Sequence, residues 1–236
     1  PNPDHIYAVG VDVAEGVGEN ASVAQILDIT DLANIKQVAV YQNNKISPYN
    51  FTTKLLEILQ HWGSPPAAIE RNNCGAQVVD NLKNQLGYTN LVNFAPQNSK
   101  STSYNKRDGV VAHTNTKYKG VMNMRYWINE LISVEFRDLN TINELKSFVR
   151  YPNGTWAAKK EGDYLDDRVM ALVWTLIVLE HTVTERYYEV VEYDSNQKPR
   201  VLRSLDYGIR EFINPLSIYA NEKTNGLNNN ALPVLM

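Results

Sequence analysis

Cysteine and long apolar runs are nearly absent from this chain of 236 residues. The single cysteine, Cys74, excludes an intramolecular disulfide and a zinc site built from several thiolates, and it fits a reducing, cytosolic compartment. The longest apolar run, from Met170 to Leu179 with Thr175 inside it, has about half of the ~20 residues that a membrane-spanning helix needs. We therefore interpret this run as a buried helix and expect no membrane contact.

Three further features are missing. No phosphate-binding loop of the type Gly-x-x-x-x-Gly-Lys-Ser/Thr occurs, which excludes a P-loop ATPase within this sequence. The sequence starts at Pro1 without a methionine, a basic stretch or an apolar signal segment, and we expect a fragment of a longer, non-secreted protein. An excess of basic residues is also missing: the net charge of −3 and the pI of about 5.9 argue against a protein that coats nucleic acid non-specifically.

The sequence does contain apolar strand-like runs that alternate with helical patterns. In the first part, Ser47 and Pro48 supply an N-cap and a first-turn proline, and Gly63 ends the helix that they begin. The expected elements here are strands at 6–13, 21–28, 35–41, 67–69 and 91–94 and helices at 48–62 and 75–86. Turn residues between the first strands predict an antiparallel opening, and the later strand, helix and strand predict a parallel pairing.

The second part is less regular. Its last helix is the strongest element, with a wide apolar stripe that follows Asp166 and Asp167. The expected elements are a helix at 117–133, strands at 135–139 and 147–151 around a helical turn at 141–146, a hairpin turn at 152–154, a helix opening at 166, and a hairpin with strands at 186–193 and 200–205. The asparagine-rich residues 221–236 predict a flexible tail.

Acidic residues occur at the ends of three of these elements. Asp12 lies near the end of the first strand, Glu70 ends a short apolar strand, and Asp166 and Asp167 open the last helix. A buried acid costs several kcal/mol unless it is paired or holds a cation, and ligands gather beyond the carboxyl ends of parallel strands. The three positions therefore predict a shared centre for Mg²⁺ or Mn²⁺, with room for two ions that promote phosphodiester hydrolysis.

Each acid also has a structural interpretation. Asp12 could cap turn amides, and Asp166 and Asp167 could be ordinary acids at a helix N-terminus, where the helix dipole favours them. Which member of this adjacent pair is the principal ligand stays open, because consecutive helical residues point about 100° apart. Glu15 is either a secondary ligand, an orienting group or an exposed hairpin acid.

Basic residues concentrate between Ala95 and Arg125, where six lysines and arginines accompany one acid, Asp108. This stretch is either a solvated loop or a surface that contacts DNA phosphates. The candidates for DNA contact are Lys100, Lys106, Arg107, Lys117 and Lys119. Because phosphate contacts carry no base information, we expect cleavage with little sequence preference.

Three segments together resemble a known family. Val11-Asp-Val-Ala-Glu-Gly16, Ile69-Glu-Arg-Asn-Asn73 and Asp166-Asp-Arg-Val-Met-Ala-Leu172 are similar to the acidic motifs of the C-terminal nuclease domain of tailed-bacteriophage large terminases, particularly those of myovirus type. The order and the spacing of the motifs carry the resemblance, which extends from about Tyr7 to Glu180. It implies an α/β fold of the RNase H-like (resolvase/integrase-type) class, with a mixed central sheet flanked by helices.

The resemblance also implies a function. The chain would be a metal-dependent endonuclease that cuts double-stranded concatemeric viral DNA during packaging, with Asp12, Glu70 and one or both of Asp166 and Asp167 as metal ligands. In this family an ATPase domain precedes the nuclease domain, and the intact protein works with a portal ring and a small terminase subunit. We expect the protein in the host cytoplasm and transiently at the procapsid portal.

On this interpretation the chain has four parts: a linker remnant at 1–5, the nuclease domain at 6–185, a C-terminal hairpin extension at 186–220 and a flexible tail at 221–236. Two alternatives remain open. A resolvase- or transposase-like nuclease would share the fold and the acids but would prefer branched or transposon-end DNA. A non-catalytic DNA-gripping module of a motor would bind DNA without any effect of metal.

Overall fold

The computed structural model describes residues 1–94, 108–189, 191–193 and 199–201. The strands are β1 (Tyr7–Asp12), β2 (Ser22–Asp28), β3 (Ile35–Asn43), β4 (Ala67–Ile69), β5 (Asn93–Phe94), β6 (Gly109–Val110), β7 (Val134–Glu135), β8 (Phe148–Arg150), β9 (Trp156–Ala158), β10 (Val191–Tyr193) and β11 (Pro199–Val201). The helices are α1 (Pro48–His61), α2 (Gly75–Asn84), α3 (Thr114–Arg125), α4 (Leu139–Ser147) and α5 (Asp167–Glu189), and a π-helical turn, Tyr126–Glu130, continues α3. Within these ranges no helix combines the length and the apolarity that crossing a membrane requires.

A five-stranded mixed sheet with the strand order β4-β1-β2-β3-β7 forms the centre of the molecule. The strands β1, β2 and β3 are antiparallel to one another in succession, whereas β4 and β7 lie parallel to β1 and β3 at the two edges. Val11 pairs with Ile69 across the β1–β4 ladder, so Asp12, the last residue of β1, and Glu70, the residue after β4, lie at the same end of two neighbouring parallel strands. The predicted mixed sheet with an antiparallel opening is confirmed.

Helices cover both faces of the sheet, and the alternation along β1 shows which side faces which helices. Tyr7, Val9 and Val11 pack in one core with α1 and α2. Ala8 belongs to a second core, which is built with α3 and α5. Because side chains alternate along a strand, Asp12 shares the α5 side with Ala8 and Gly10.

Gly10 brings α5 into backbone contact with the sheet. A Cβ atom added at Gly10 would lie 2.1 Å from the amide nitrogen of Thr175 and 2.2 Å from the carbonyl oxygen of Ala171. Both neighbours are backbone atoms of α5, which cannot yield as a flexible side chain does. The absence of a side chain at this position therefore sets the distance between α5 and β1.

Side-chain caps fix the starts of two helices. Ser47 Oγ accepts a hydrogen bond from the amide of Asn50 at 3.3 Å and Pro48 occupies the first turn of α1, as the sequence predicts. Asp138 Oδ2 accepts a hydrogen bond from the amide of Thr141 at 2.8 Å and caps α4. Each cap satisfies an amide that has no partner within the helix.

A buried amide network attaches α4 to the sheet. Gln37 Nε2 donates to Gln25 Oε1 at 2.9 Å, and Gln25 Nε2 donates to Thr141 Oγ1 at 2.9 Å. Gln37 Oε1 accepts from the amides of Arg137 at 2.8 Å and Asp138 at 2.7 Å. The network joins β2 and β3 to the residues that begin α4, and buried amides are stable only when they are paired in this way.

Two predicted strands are partly wrong. The strand expected at 135–139 is limited to Val134–Glu135, because Asp138 caps a helix that already begins at Leu139. The strand expected at 186–193 begins only at Val191, because α5 continues to Glu189 and extending a helix costs less than starting a new element. β10 pairs antiparallel with β11, and the predicted tail at 221–236 lies outside the described residues.

The other elements agree with the prediction apart from their ends. The strand expected at 91–94 is divided between a parallel bridge from Leu91 to Ala67 and the strand β5, which pairs in parallel with β6. The helix expected at 117–133 begins three residues earlier at Thr114, and its last part is the π-helical turn. β8 and β9 form the predicted hairpin around residues 152–154.

Candidate metal centre

Asp12 is the last residue of β1 and faces the α5 side of the sheet. The turn after it folds back on residues 44–46: the amide of Gly18 donates to the carbonyl of Asn44 at 2.8 Å. Gly16 has a φ of +79°, and a Cβ there would lie 2.3 Å from the carbonyl oxygen of Ile46. Glycine at this position therefore lets the turn that carries Glu15 lie against the end of β3.

Glu70 follows β4 and is held through both its backbone and its side chain. Its amide donates to the carbonyl of Val11 at 2.9 Å, which continues the β1–β4 ladder up to the acid. Its carboxylate Oε2 accepts a hydrogen bond from the indole Nε1 of Trp174 at 2.9 Å. At Gly75 a Cβ would lie 2.0 Å from the carbonyl oxygen of Glu70, so this glycine lets α2 begin directly against the acid.

Asp166 and Asp167 occupy different surroundings at the start of α5. Asp167 is 6% exposed, and its Oδ2 accepts a hydrogen bond from the amide of Ala21 at 2.8 Å. Asp166 is more accessible, and its Oδ2 lies 3.8 Å from Nζ of Lys117. The structure thus separates the adjacent pair into a buried acid fixed by the residue directly before β2 and a more open acid that faces a lysine of α3.

All of these acids line one cavity of about 520 Å³ beyond the ends of β1 and β4. Polar groups dominate its wall. The polar lining residues are Asp12, Glu15, Glu19, Asn20, Glu70, Asn72, Asn73, Lys117, Asp166 and Asp167, and Cys74 lies beside them. The structure therefore brings together every acid that the sequence proposes for a metal site.

The surroundings in the cavity disfavour the ionised form of several carboxylates at once. The pKa of Asp12 is raised well above its usual value, first because burial removes its hydration and then because Glu70, Asp167 and Asp166 repel its charge. Burial also raises the pKa of Glu70 and of Asp167, although the indole of Trp174 and the amide of Ala21, respectively, oppose that rise by hydrogen bonding. Lys117 lowers the pKa of Asp12 and Glu70 but does not cancel the other effects.

The donor set suits a hard divalent cation. Carboxylate oxygens are the preferred ligands of Mg²⁺ and Mn²⁺, and a cation would relieve the repulsion that raises these pKa values. In the described ranges, however, no three Asp, Glu, His or Cys side chains already form a ligand group for one ion. The acids surround a common space, and holding an ion would require small side-chain movements toward it.

The predicted DNA-contact residues do not all lie at this cavity. Lys117 lines it, whereas Lys119, two residues later on another side of α3, is partly buried and does not. Lys100, Lys106 and Arg107 lie outside the described residues.

Two partners of the acids do not emerge from the sequence prediction. The amide of Ala21 fixes Asp167, and the indole of Trp174 fixes Glu70. A backbone amide carries no residue-type signal. Trp174 lies in the apolar run 170–179 and has the pattern of an ordinary core residue, although its position two turns after Asp167 would place both on one helix face.

The mixed sheet, with its acids grouped beyond β1 and β4, defines an RNase H-like domain. A family model described as the terminase RNaseH-like domain matches residues 9–179, and the chain belongs to this family. The structural neighbours include the large terminase nuclease of the thermophilic phage G20c. The version with bound magnesium has a TM-score of 0.55 at 20% identity and covers 75% of this chain and 82% of that chain.

Two further structures of the same phage protein are similar to this chain to about the same degree. The version with bound cobalt has a TM-score of 0.54 at 20% identity and the same coverage of 75% and 82%. A third has a TM-score of 0.53 at 21% identity and covers 74% of this chain and 82% of that chain. At these identities the likeness establishes the shared fold, and the expected RNase H-like fold is confirmed.

Proposed function

We propose that this chain is a metal-dependent endonuclease that cuts double-stranded viral DNA during genome packaging. The observation that carries the proposal is the convergence of Asp12, Glu70, Asp166 and Asp167 from three separate segments on one cavity. Acids that only cap helices or turns are not expected to line one cavity together or to raise one another's pKa. Membership of the terminase RNaseH-like family supports the same activity.

The four acids would hold Mg²⁺ or Mn²⁺, with two ions proposed. When bound, such ions activate a water molecule and stabilise the charge on the leaving 3′-oxygen of a phosphodiester. In that hydrolysis the water oxygen bonds to phosphorus and the bond from phosphorus to the 3′-oxygen breaks. Glu15 lies on the same wall and serves as a secondary ligand or as an orienting group.

Lys117 supplies positive charge at the same cavity. Its Nζ lies 3.8 Å from Asp166 Oδ2, so it is held beside the acids and can attract the DNA phosphate that must approach them. Phosphate contacts position the backbone without reading bases, so cleavage is expected to have little sequence preference. Lys119, Lys100, Lys106 and Arg107 are proposed as further backbone contacts.

The assembly around the nuclease is proposed by analogy with the family. The domain would follow an ATPase domain in the same polypeptide and would work with a portal ring and a small terminase subunit. It would act in the host cytoplasm, at the procapsid portal. Residues 1–5 would be the linker, and 186–220 and 221–236 would be an extension and a tail beyond the nuclease domain.

A plasmid assay tests the proposal. Supercoiled DNA is incubated with the unchanged protein, Asp12→Asn and Glu70→Gln in Mg²⁺, in Mn²⁺ and in a chelator. Glu57→Gln is the matched control, because it makes the same charge change on the outer face of α1, where Glu57 pairs only with Lys54 among the described residues. Circular dichroism confirms that each variant is folded.

We expect metal-dependent nicking and linearisation by the unchanged protein and by Glu57→Gln, and a loss of at least 100-fold in Asp12→Asn and Glu70→Gln. Equal cutting by all four proteins would show a contaminating nuclease. Absence of cutting by the unchanged protein, with DNA binding retained, would favour the DNA-gripping module. A strong preference for four-way junctions over linear duplex would favour a resolvase-like nuclease.

A further inference from the structure

Trp174 connects the middle of α5 to the proposed metal centre. Its side chain is fully buried, and its Nε1 donates a hydrogen bond to Glu70 Oε2 at 2.9 Å. A buried indole N–H needs a partner, and here that partner is a carboxylate rather than a backbone carbonyl. One oxygen of Glu70 therefore has a partner within the protein, while the residue also lines the cavity.

The geometry of α5 makes this contact rigid. Trp174 follows Asp167 by about two helical turns, so both residues lie on the helix face that packs on the sheet. At the neighbouring helix, a Cβ added to Gly120 would lie 3.5 Å from Cζ3 of the indole and 2.7 Å from Cγ1 of Val173. Gly120 of α3 therefore lies near the ring, and the indole is fully buried where it contacts Glu70.

We propose that Trp174 is a positioning residue for the metal centre, which fixes the Glu70 carboxylate in the orientation that binds the cation. The inference rests on the proposed nuclease function. Hydrogen-bonded partners of metal ligands typically contribute 10- to 100-fold in metal affinity or activity, because an unheld ligand must be ordered when the ion binds. Trp174 and Asp167 belong to one helix, so α5 supplies one acid and orients another.

Trp156 offers a matched control in the same domain. It is also a buried tryptophan, 4% exposed, and it stacks on Phe148 with ring centroids 6.0 Å apart. Within the described residues its Nε1 has no hydrogen-bond partner. Trp156→Phe therefore removes a similar aromatic volume without releasing a carboxylate.

The first test compares Trp174→Phe, Trp156→Phe and the unchanged protein by calorimetric titration with Mn²⁺ and by plasmid cleavage over a range of Mn²⁺ concentrations. We expect Trp174→Phe to weaken Mn²⁺ binding by about 10- to 100-fold. Its half-saturating Mn²⁺ concentration for cleavage should rise by a similar factor, while the KM for DNA stays within about twofold. Trp156→Phe should match the unchanged protein in all three measurements.

Equal Mn²⁺ affinity in Trp174→Phe and in the unchanged protein would overturn the inference and leave the nuclease function intact. An equal loss in Trp174→Phe and Trp156→Phe would also overturn it, because the effect would then follow from core packing. If the unchanged protein neither binds Mn²⁺ nor cuts DNA, the proposed function fails and the inference fails with it.

A second test needs no variant that alters the site. The chain has four tryptophans, and ¹⁵N labelling gives each indole Nε1–H its own NMR signal. The signals of Trp62, Trp127 and Trp156 are assigned from single Trp→Phe variants, which leaves that of Trp174. On addition of Mg²⁺ to the unchanged protein, the Trp174 signal should shift and the other three should stay. A Trp174 signal that does not move at Mg²⁺ concentrations supporting cleavage would overturn the inference, even if Trp174→Phe cannot fold.

Discussion

Two glycines affect how closely the helices approach the elements beside the candidate metal centre. A Cβ at Gly10 would meet backbone atoms of α5, whereas a Cβ at Gly120 would meet the side-chain tips of Val173 and Ile177. Backbone atoms can yield only if the whole helix shifts, whereas the buried side chains of Val173 and Ile177 can move by smaller local adjustments, although their χ1 angles are stiff. The same added methyl group should therefore have different effects at the two positions.

We predict that Gly10→Ala lowers the free energy of unfolding by about 1–3 kcal/mol, the usual cost of overpacking a core. Gly120→Ala should lower it by less than Gly10→Ala does, because the better helix propensity of alanine, about 1 kcal/mol, offsets part of the crowding of Val173. Urea unfolding of both variants in a chelator measures the difference. Equal costs would show that α5 is free to move away from β1.

Residues of the site differ in how far the sequence alone could reveal them. The positions of Asp12 and Glu70 at the ends of two strands were predictable. Strand ends and the alternation of side chains along a strand can both be recognised in a short stretch of sequence. The hydrogen bond from Trp174 to Glu70 was not, since it joins residues 104 positions apart and depends on the angle at which α5 crosses the sheet. The separate surroundings of Asp166 and Asp167 depend on Lys117 and Ala21, which are also far from the pair in sequence.

At the level of elements, α4 is held by its polar network. Gln37 Oε1 is the acceptor for the amides of Arg137 and Asp138, and Gln37 Nε2 contacts Gln25 and Thr141. Removing this side chain takes the partner from the buried Gln25 Oε1 and from the partly buried amides of Arg137 and Asp138, and a buried group without a partner costs about 1–3 kcal/mol. The start of α4 should loosen first, because the lost bonds lie there.

We predict that Gln37→Ala lowers the free energy of unfolding by at least about 2 kcal/mol and speeds hydrogen exchange of the first amides of α4. The control is Gln60→Ala on the exposed side of α1, which should change stability by less than about 0.5 kcal/mol. Urea unfolding and exchange followed by mass spectrometry measure the two effects. A stable Gln37→Ala with unchanged exchange in α4 would mean that the apolar core alone holds this helix.

Local signals explain which elements were predictable. β1, β2, β3 and α1 have alternating or helical apolar patterns and clear end signals, and their predicted positions agree with the structure. The region 134–147 has short elements whose start is set by Asp138 and by its contact with Gln37 on a distant strand. The final helix continues past residue 186, where a strand was expected. Residues 182–188 include several β-branched and aromatic residues, which favour a strand, but adding residues to an existing helix costs less than starting a new element.

For the whole molecule, the crowded acids should couple stability to pH. The pKa values of Asp12, Glu70 and Asp167 are raised in the folded state, with burial as the largest cause in each. A carboxyl group whose pKa is higher in the folded than in the unfolded state binds its proton more tightly when the protein is folded, so protonation stabilises the fold. This contribution is therefore fully present below the ordinary carboxyl pKa of about 4 and is lost as the pH rises through the raised folded values.

We predict that, in a chelator, Asp12→Asn melts several degrees higher than the unchanged protein at pH 7.5, since about 1 kcal/mol corresponds to about 2–4 °C for a domain of this size. The gain should shrink toward pH 4.5. Addition of Mg²⁺ should raise the Tm of the unchanged protein at pH 7.5 but not that of Asp12→Asn. Thermal melts followed by circular dichroism test this.

Asp31→Asn is the control for the melts, because Asp31 is an exposed acid that does not line the cavity. It should behave as the unchanged protein does at both pH values. A lower Tm for Asp12→Asn in the chelator at pH 7.5 would mean that the Asp12 carboxylate stabilises the fold without a cation, contrary to its crowded surroundings.

The three segments that supply the acids are far apart along the chain, at residues 12, 70 and 166–167. During synthesis the last of them leaves the ribosome only after most of the domain has been made. A chain that ends before residue 166 therefore lacks part of the carboxylate set, and under the proposed function it should not cut DNA. The order of the acids along the chain thus makes the complete candidate site one of the last features of the domain to be available during synthesis.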